Sequence, residues 1–408
     1  MHEEKGIVKE IREIPDVIGV EAGEEWEGEE DLKSDLLGNL SKVVVFSTDW
    51  TAETIIRQIE RGNILMNPKF QRRDAWSPSR KSRFIESVMM GLPIPQLVFA
   101  EQKGQRGKYI VIDGKQRLLS LQQFALPSEN PLRLRGLSIR KELNGLTMDD
   151  ISKNIFADDI IPAFQNQPIR TVVIRNWGDD DVLYLIFSRL NTESVKLSPQ
   201  ELRQALHPGP FIDFAEQFAG NSVGLMNCLG IKEPDFRMRD VEIIIRYFGF
   251  YFFLTEYRGT MKVFLDQTCE RLNKEWGEYE SSVIFSAKQF ELAISMTYDI
   301  FGSNAFKKYA SDKFENRNNR AVMDIMLFYF SQKDGKFDFL SLAKEIVDAF
   351  TNLCSTDTLF LRSLESSTKS LEATATRLIR WGEELRRIGC PVRVPIFADN
   401  CFKEYRHD

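Results

Sequence analysis

A β-strand that runs directly into a helix through a glycine turn is the feature that most constrains the fold of this chain. Residues 109–112 are apolar and mostly β-branched, as a buried strand requires. Asp113 and Gly114 follow at once, and apolar residues from Leu118 onwards recur with helical spacing. A turn of this kind presents the free N–H groups at the positive end of the helix. The segment therefore predicts an α/β unit with an anion-binding turn at the end of the strand.

The turn also carries side chains suited to binding phosphate. Gly114 permits close approach of a ligand, while Lys115, Gln116 and Arg117 add two cations and an amide donor. Asp113 has two interpretations. It either binds a ribose hydroxyl, a divalent cation or a water, or it caps the helix. Spacing alone leaves both interpretations open.

A second basic cluster precedes this unit. Residues 67–73 place Gln71, Arg72 and Arg73 in a loop after a proline, and Trp76 follows. Arginine forks match phosphate oxygens, and tryptophan offers a stacking face for a base. The alternative is an ordinary solvated loop. Because this loop and the glycine turn belong to one small α/β unit, we expect them to meet in one cleft.

Charge is distributed unevenly along the 408 residues. The net charge is −6, which argues against a protein that coats nucleic acid through general basicity. Residues 1–35 carry 4 basic and 13 acidic groups, whereas residues 69–142 carry 15 basic and 6 acidic groups. Any contact with DNA is therefore expected to be a local patch in the basic stretch.

Several classes of protein are excluded by composition. Five cysteines without a Cys-x-x-Cys pair indicate a reducing compartment and no zinc site, so we predict no metal-ligand set. The longest apolar run, residues 241–254, is short for a membrane span and contains Glu242 and Arg246. The first twenty residues lack the apolar core of a signal peptide. We expect a cytoplasmic protein with no membrane partner.

The hydrophobic pattern predicts an α+β protein with three segments. We expect residues 1–40 to form an acidic flexible arm, residues 41–178 an α/β domain that carries the anion-binding turn, and residues 179–408 an all-α domain. Near the start of the last segment, Glu201 lies three residues after Ser198 and favours a capping box with Pro199 at the first helical position.

Three ordered blocks resemble the N-terminal domain of GmrSD-type restriction endonucleases, a family with an Asp-Gly-Gln-Gln-Arg motif and a likeness to the ParB/sulfiredoxin fold. The blocks are Gln71-Arg72-Arg73 with Trp76, residues 85–95, and Asp113-Gly114-Lys115-Gln116-Arg117-Leu118. Residues 187–192 and 197–203 continue the resemblance, which covers roughly residues 45–250. Lys115 departs from the glutamine that the family usually has at this position.

The resemblance implies an NTP-binding and NTP-hydrolysing module of anti-phage defence, whose nucleotide state gates engagement of DNA or a partner. We expect catalytic roles for Asp113, Gln116 and Arg117. Nucleotide contacts are expected from Gln71, Arg72, Arg73, Gly114 and Lys115, joined by Asn191 if the helical segment folds back over the cleft. The choice among GTP, ATP and CTP stays open, as do a role for Mg²⁺ and homo-oligomerisation.

Two alternatives to an NTPase remain. A non-enzymatic DNA-binding adaptor would recruit a separate nuclease subunit, since the three histidines, His2, His207 and His407, do not suggest a His-Asn-His centre. A Mg²⁺-dependent nuclease would instead use Asp113 and Lys115, but the sequence shows no partner carboxylate on a preceding strand.

Overall fold

A computed structural model describes residues 36–66, 75–190, 198–332, 338–365 and 368–403. These residues form two compact units. The sheet unit contains residues 36–208 together with Asp235–Arg239, and the helical unit contains Gly209–Pro234 and the described residues from 240 onwards.

The sheet unit is built on a four-stranded mixed sheet with the order β1-β4-β2-β3. Strand β4 pairs antiparallel with β1 and parallel with β2, and β2 pairs antiparallel with β3. The strands are β1 (Val44–Thr51), β2 (Leu97–Glu101), β3 (Tyr109–Asp113) and β4 (Pro168–Arg175). The helices are α1 (Leu36–Leu40), α2 (Ala52–Glu60), α3 (Pro78–Met89), α4 (Lys115–Ala125), α5 (Met148–Ser152), α6 (Ala157–Asn166), α7 (Asp180–Leu190) and α8 (Pro199–Leu206).

Local sequence signals account for where these helices begin. The Thr51 hydroxyl accepts a hydrogen bond from the Thr54 N–H at the start of α2. Ser77 caps α3 in the same way, with Pro78 at the first helical position. The predicted capping box of α8 is confirmed, because Ser198 and Glu201 satisfy each other's backbone N–H groups.

Both faces of the sheet are covered. One face packs on an apolar cluster that includes residues of α2, α3, α4 and α6, such as Ile55, Phe84 and Phe124. The other face packs on α7 and α8 through Leu183, Phe187 and neighbouring residues. The sequence analysis assigned these two helices to the helical domain, but their apolar faces complete the core of the sheet unit.

The helical unit agrees with the predicted α-rich C-terminal region, so the α+β class is confirmed. Its helices are α9 (Pro210–Ala219), α10 (Val223–Leu229), α11 (Arg239–Phe253, which begins in the sheet unit), α12 (Met261–Lys274), α13 (Trp276–Phe301), α14 (Arg320–Phe330), α15 (Ala343–Thr356), α16 (Thr358–Glu365) and α17 (Leu371–Arg387). Two short antiparallel hairpins, which the sequence analysis did not predict, pair β5 (Lys307–Ala310) with β6 (Lys313–Asn318) and β7 (Phe397–Ala398) with β8 (Cys401–Phe402).

Aromatic residues fill much of the core of the helical unit. Phe248 and Phe250 on α11 and Tyr329 on α14 are all buried. Among the described residues, no helix is both long enough and apolar enough to cross a bilayer. The likeness to the ParB/sulfiredoxin fold stays a prediction.

Candidate functional site

The predicted strand–glycine–helix turn is confirmed. Strand β3 ends at Asp113, α4 begins at Lys115, and Gly114 between them is the N-terminal cap residue. Gly114 has no side chain that could accept hydrogen bonds from the first turn of α4. The positive end of an 11-residue helix therefore follows directly on the end of a strand, which is the geometry that favours an anion.

Gly114 is required by its conformation and by its neighbours. Its φ of +99° lies in the left-handed region, which residues with a Cβ rarely adopt. A Cβ at this position would also lie 2.3 Å from Cδ2 of Leu97 on the neighbouring strand β2. The side chain of Leu97 on β2 therefore packs directly against the backbone of Gly114, and no Cβ fits between them.

The Arg117 guanidinium binds groups of the protein itself. Nη2 donates to Asp113 Oδ2 at 2.7 Å, and Nη1 donates to the carbonyl oxygens of Pro95 and Gln96. Arg117 is only 9% exposed. It thus ties the first turn of α4 to the loop before β2, and Asp113 orients this arginine instead of capping the helix.

Lys115 is paired with a carboxylate that lies far away in the sequence. Its ammonium contacts Glu201 Oε1 on α8, and both side chains are buried. The other carboxylate oxygen, Glu201 Oε2, accepts the Ser198 N–H of the capping box at 2.7 Å. One carboxylate therefore caps α8, as predicted, and also neutralises the cation beside Gly114, a pairing that no sequence pattern indicated.

Gln116 connects the turn to the end of the basic loop. Its Oε1 accepts the backbone N–H of Trp76 at 3.2 Å, and its side chain is partly exposed. The ring of Trp76 packs edge-on against Phe84, and the Arg80 guanidinium lies 4.7 Å from the centre of the ring. Trp76 is therefore partly engaged by its neighbours, while the Gln116 amide nitrogen has no partner in the described part of the chain.

Four of the predicted nucleotide-binding residues lie outside the described residues: Gln71, Arg72, Arg73 and Asn191. The arrangement expected for an Asp113/Lys115 nuclease is not seen, because each of these side chains pairs with an opposite charge of the protein. No three acidic, histidine or cysteine side chains are grouped to hold a metal ion anywhere in the described ranges.

His207, one of the three histidines considered for a nuclease centre, lies at the end of α8. It is the C-terminal cap residue of α8, and its Nε2 lies 3.6 Å from Asp180 Oδ2. The ring is buried, not at the surface.

Comparison with protein families identifies this domain. The family model described as GmrSD restriction endonuclease, N-terminal domain, matches residues 52–208. This segment belongs to that family. The match ends at the same residue as the main segment of the sheet unit, and it includes the turn at Gly114. No curated protein and no solved structure matches the chain. A GmrSD-type domain supports a role in restriction-type anti-phage defence.

Proposed function

We propose that the GmrSD-type domain binds a nucleoside triphosphate at the Gly114 turn and that nucleotide occupancy gates engagement of DNA or a partner. The observation that carries this proposal is the start of α4. There, bare backbone N–H groups, a left-handed glycine and a partly exposed amide lie together at the end of a strand. Phosphate oxygens are the ligands that such a site favours.

The contacts in the structure change the roles that the proposal gives to individual residues. Arg117 and Asp113 act as positioning residues, since their charges are used within the turn. Lys115 lies beneath the site as half of a neutral pair with Glu201. Phosphate binding then depends on the backbone N–H groups of α4 and on Gln116, which would orient a phosphate or, in hydrolysis, a water.

Magnesium enters this proposal only together with the nucleotide. Among the described carboxylates near the turn, Asp113 is paired with Arg117 and Glu201 with Lys115. The proposal assigns no magnesium ligand to these side chains. Hydrolysis is part of the proposal, and the release of phosphate from GTP, ATP and CTP tests it separately from binding.

Replacing Gln116 with glutamate is the sharpest test of the site. Gln116→Glu keeps the oxygen that accepts the Trp76 N–H, and a carboxylate in the first turn of a helix favours folding. The same negative charge repels a triphosphate. We expect the variant to stay folded and, because of this repulsion, to lose at least about tenfold in nucleotide affinity by calorimetry. A factor of ten corresponds to about 1.4 kcal/mol of binding free energy.

The matched control is Gln122→Glu, which adds the same charge to the same helix. Six residues separate the two positions, a distance of about 9 Å along the helix axis. The control should bind nucleotide as the wild type does. Equal affinities for the wild type and Gln116→Glu would reject the Gly114 turn as the nucleotide site.

A further inference from the structure

Two segments of the sheet unit concentrate positive charge away from the Gly114 turn. Residues 78–86, largely α3, and residues 131–141, the connection after α4, together contain seven basic residues and one acidic residue. Sequence alone places these segments about fifty residues apart. The structure shows that they lie side by side.

Three backbone contacts hold the connection against α3. Ser82 Oγ accepts the Arg135 N–H at 3.0 Å, and the buried Glu86 carboxylate accepts the N–H groups of Ile139 and Arg140 at 3.0 and 2.8 Å. The single acidic residue of the two segments is therefore used to fix backbone, below the surface. These contacts fix the backbone from which the surface cations extend, which lowers the entropy lost on binding.

The cations of these segments differ in what they contact. Arg133 and Arg140 pair with carboxylates. Lys81 is buried, and the Arg80 guanidinium lies over the ring of Trp76. The side chains of Arg83, Arg135 and Lys141 are exposed and contact no carboxylate among the described residues. We name these three residues the basic ridge.

We propose that the basic ridge binds the phosphate backbone of double-stranded DNA. Exposed arginine and lysine side chains that pair with no described carboxylate are the groups that duplex phosphates attract. A GmrSD restriction endonuclease domain makes DNA the polyanion to expect here. Contacts of this type position a protein on the duplex and carry no sequence information of their own.

The ridge is distinct from the nucleotide site, but both of its segments are hydrogen-bonded to α4, the helix that begins at that site. Leu132, at the start of the connection, donates its N–H to the Gln123 carbonyl of α4, and Lys81 Nζ on α3 donates to the Gln123 side chain at 2.7 Å. The choice of DNA as the partner rests on the proposed function. The charge argument does not require that any nucleotide binds.

The test is DNA binding by a triple variant of the full chain, Arg83→Gln/Arg135→Gln/Lys141→Gln. Affinity for a labelled DNA duplex is measured by fluorescence anisotropy between about 50 and 200 mM salt, with and without each NTP. Loss of three phosphate contacts should reduce the slope of log K against log salt by roughly 2 to 3 and weaken binding by on the order of 10²-fold at 0.1 M salt.

The control removes the same charge elsewhere in the sheet unit. Lys42, Arg61 and Arg106 are exposed cations that also contact no carboxylate in the described chain. The variant Lys42→Gln/Arg61→Gln/Arg106→Gln should bind the duplex within about threefold of the wild type, since these positions lie outside the ridge.

The outcomes separate the ridge from the nucleotide site. Loss of DNA binding with unchanged nucleotide affinity in the ridge variant would support the ridge. Loss of nucleotide affinity in Gln116→Glu, with duplex binding in the absence of NTP unchanged, would support the nucleotide site. Equal weakening in the two triple variants, no duplex binding by the wild type under any condition, or binding to single-stranded RNA in place of the duplex would overturn the ridge proposal. Circular dichroism of each variant confirms that it is folded.

Discussion

The Gly114 turn and the interior of the helical unit both contain arginine paired with aspartate, but the pairs serve different ends. At the turn, Arg117 contacts Asp113, whose side chain is 27% exposed to solvent. In the helical unit, Asp324 accepts from Arg246 at 2.5 Å and from Arg377 at 3.1 Å, and Arg377 is fully buried. Only the first of these two pairs adjoins the start of a helix that has no side-chain cap.

The difference shows that ion pairing by itself does not mark a binding site. In the helical unit, one carboxylate neutralises two guanidinium groups in the core, where removing a partner leaves a buried charge. At the turn, the pair fixes the backbone next to the start of α4, where the helix dipole leaves a partial positive charge. What distinguishes the two regions is the helix start without a side-chain cap next to the charges at the turn, and its backbone is therefore the feature to perturb.

The largest effect is expected from Asp324→Ala in the helical unit. The substitution leaves Arg246 and Arg377 buried without their shared carboxylate and should cost about 3 to 5 kcal/mol in the free energy of unfolding. Urea unfolding monitored by circular dichroism measures this cost. The control, Asp49→Ala, breaks a pair with Arg170 whose side chains are both about half exposed, and should cost less than about 1 kcal/mol. Similar costs for the two variants would contradict the distinction between core and surface pairs.

A smaller effect on the free energy of unfolding is expected from Gly114→Ala. This variant tests how much the backbone geometry of the turn contributes to stability. The substitution combines a left-handed φ with a Cβ placed 2.3 Å from Leu97 Cδ2, and should cost roughly 2 to 4 kcal/mol. Gly62 is also left-handed but has nothing within 4 Å of an added Cβ, so Gly62→Ala should cost about 1 kcal/mol. If both variants unfold at the same urea concentration, close packing at Gly114 contributes nothing.

The smallest effect is expected from Lys81, a buried cation of the sheet unit that donates to an amide oxygen. Burial lowers the pKa of Lys81 from 10.5 to about 8. Between those values the unfolded chain binds more protons than the folded one, so the contribution of Lys81 to stability increases as the pH rises from 8 to 10.5. The stability of the wild type relative to Lys81→Met should rise by roughly 1 to 2 kcal/mol across that window. A difference that is constant with pH would show that Lys81 titrates normally.

Local patterns predicted the elements near the site well. The turn at Gly114 and the capping box at Ser198 both depend on residues within a few positions of one another. Helix α6 is difficult to predict from local pattern, because Pro162 lies inside it. The hairpin of β5 and β6 was missed because the segment lacks a run of alternating apolar residues.

Partners distant in the sequence could not be predicted. The pairing of Lys115 with Glu201 joins residues 86 positions apart, and the contacts of Arg117 with Pro95 and Gln96 depend on how β2 and β3 pack. Both arginine and lysine at the turn looked suited to phosphate from composition alone. Their burial and their protein partners are properties of the folded chain.

The sequence by itself determined the strand, the glycine and the helix of the candidate site, because short-range sterics and backbone hydrogen bonding decide those elements. It also determined that positive charge would be concentrated between residues 69 and 142. The tertiary structure decided which of those charges are neutralised and which stay available. That outcome depends on desolvation and on carboxylates brought in from distant segments, so it exists only once the sheet, α3, α4 and α8 are packed.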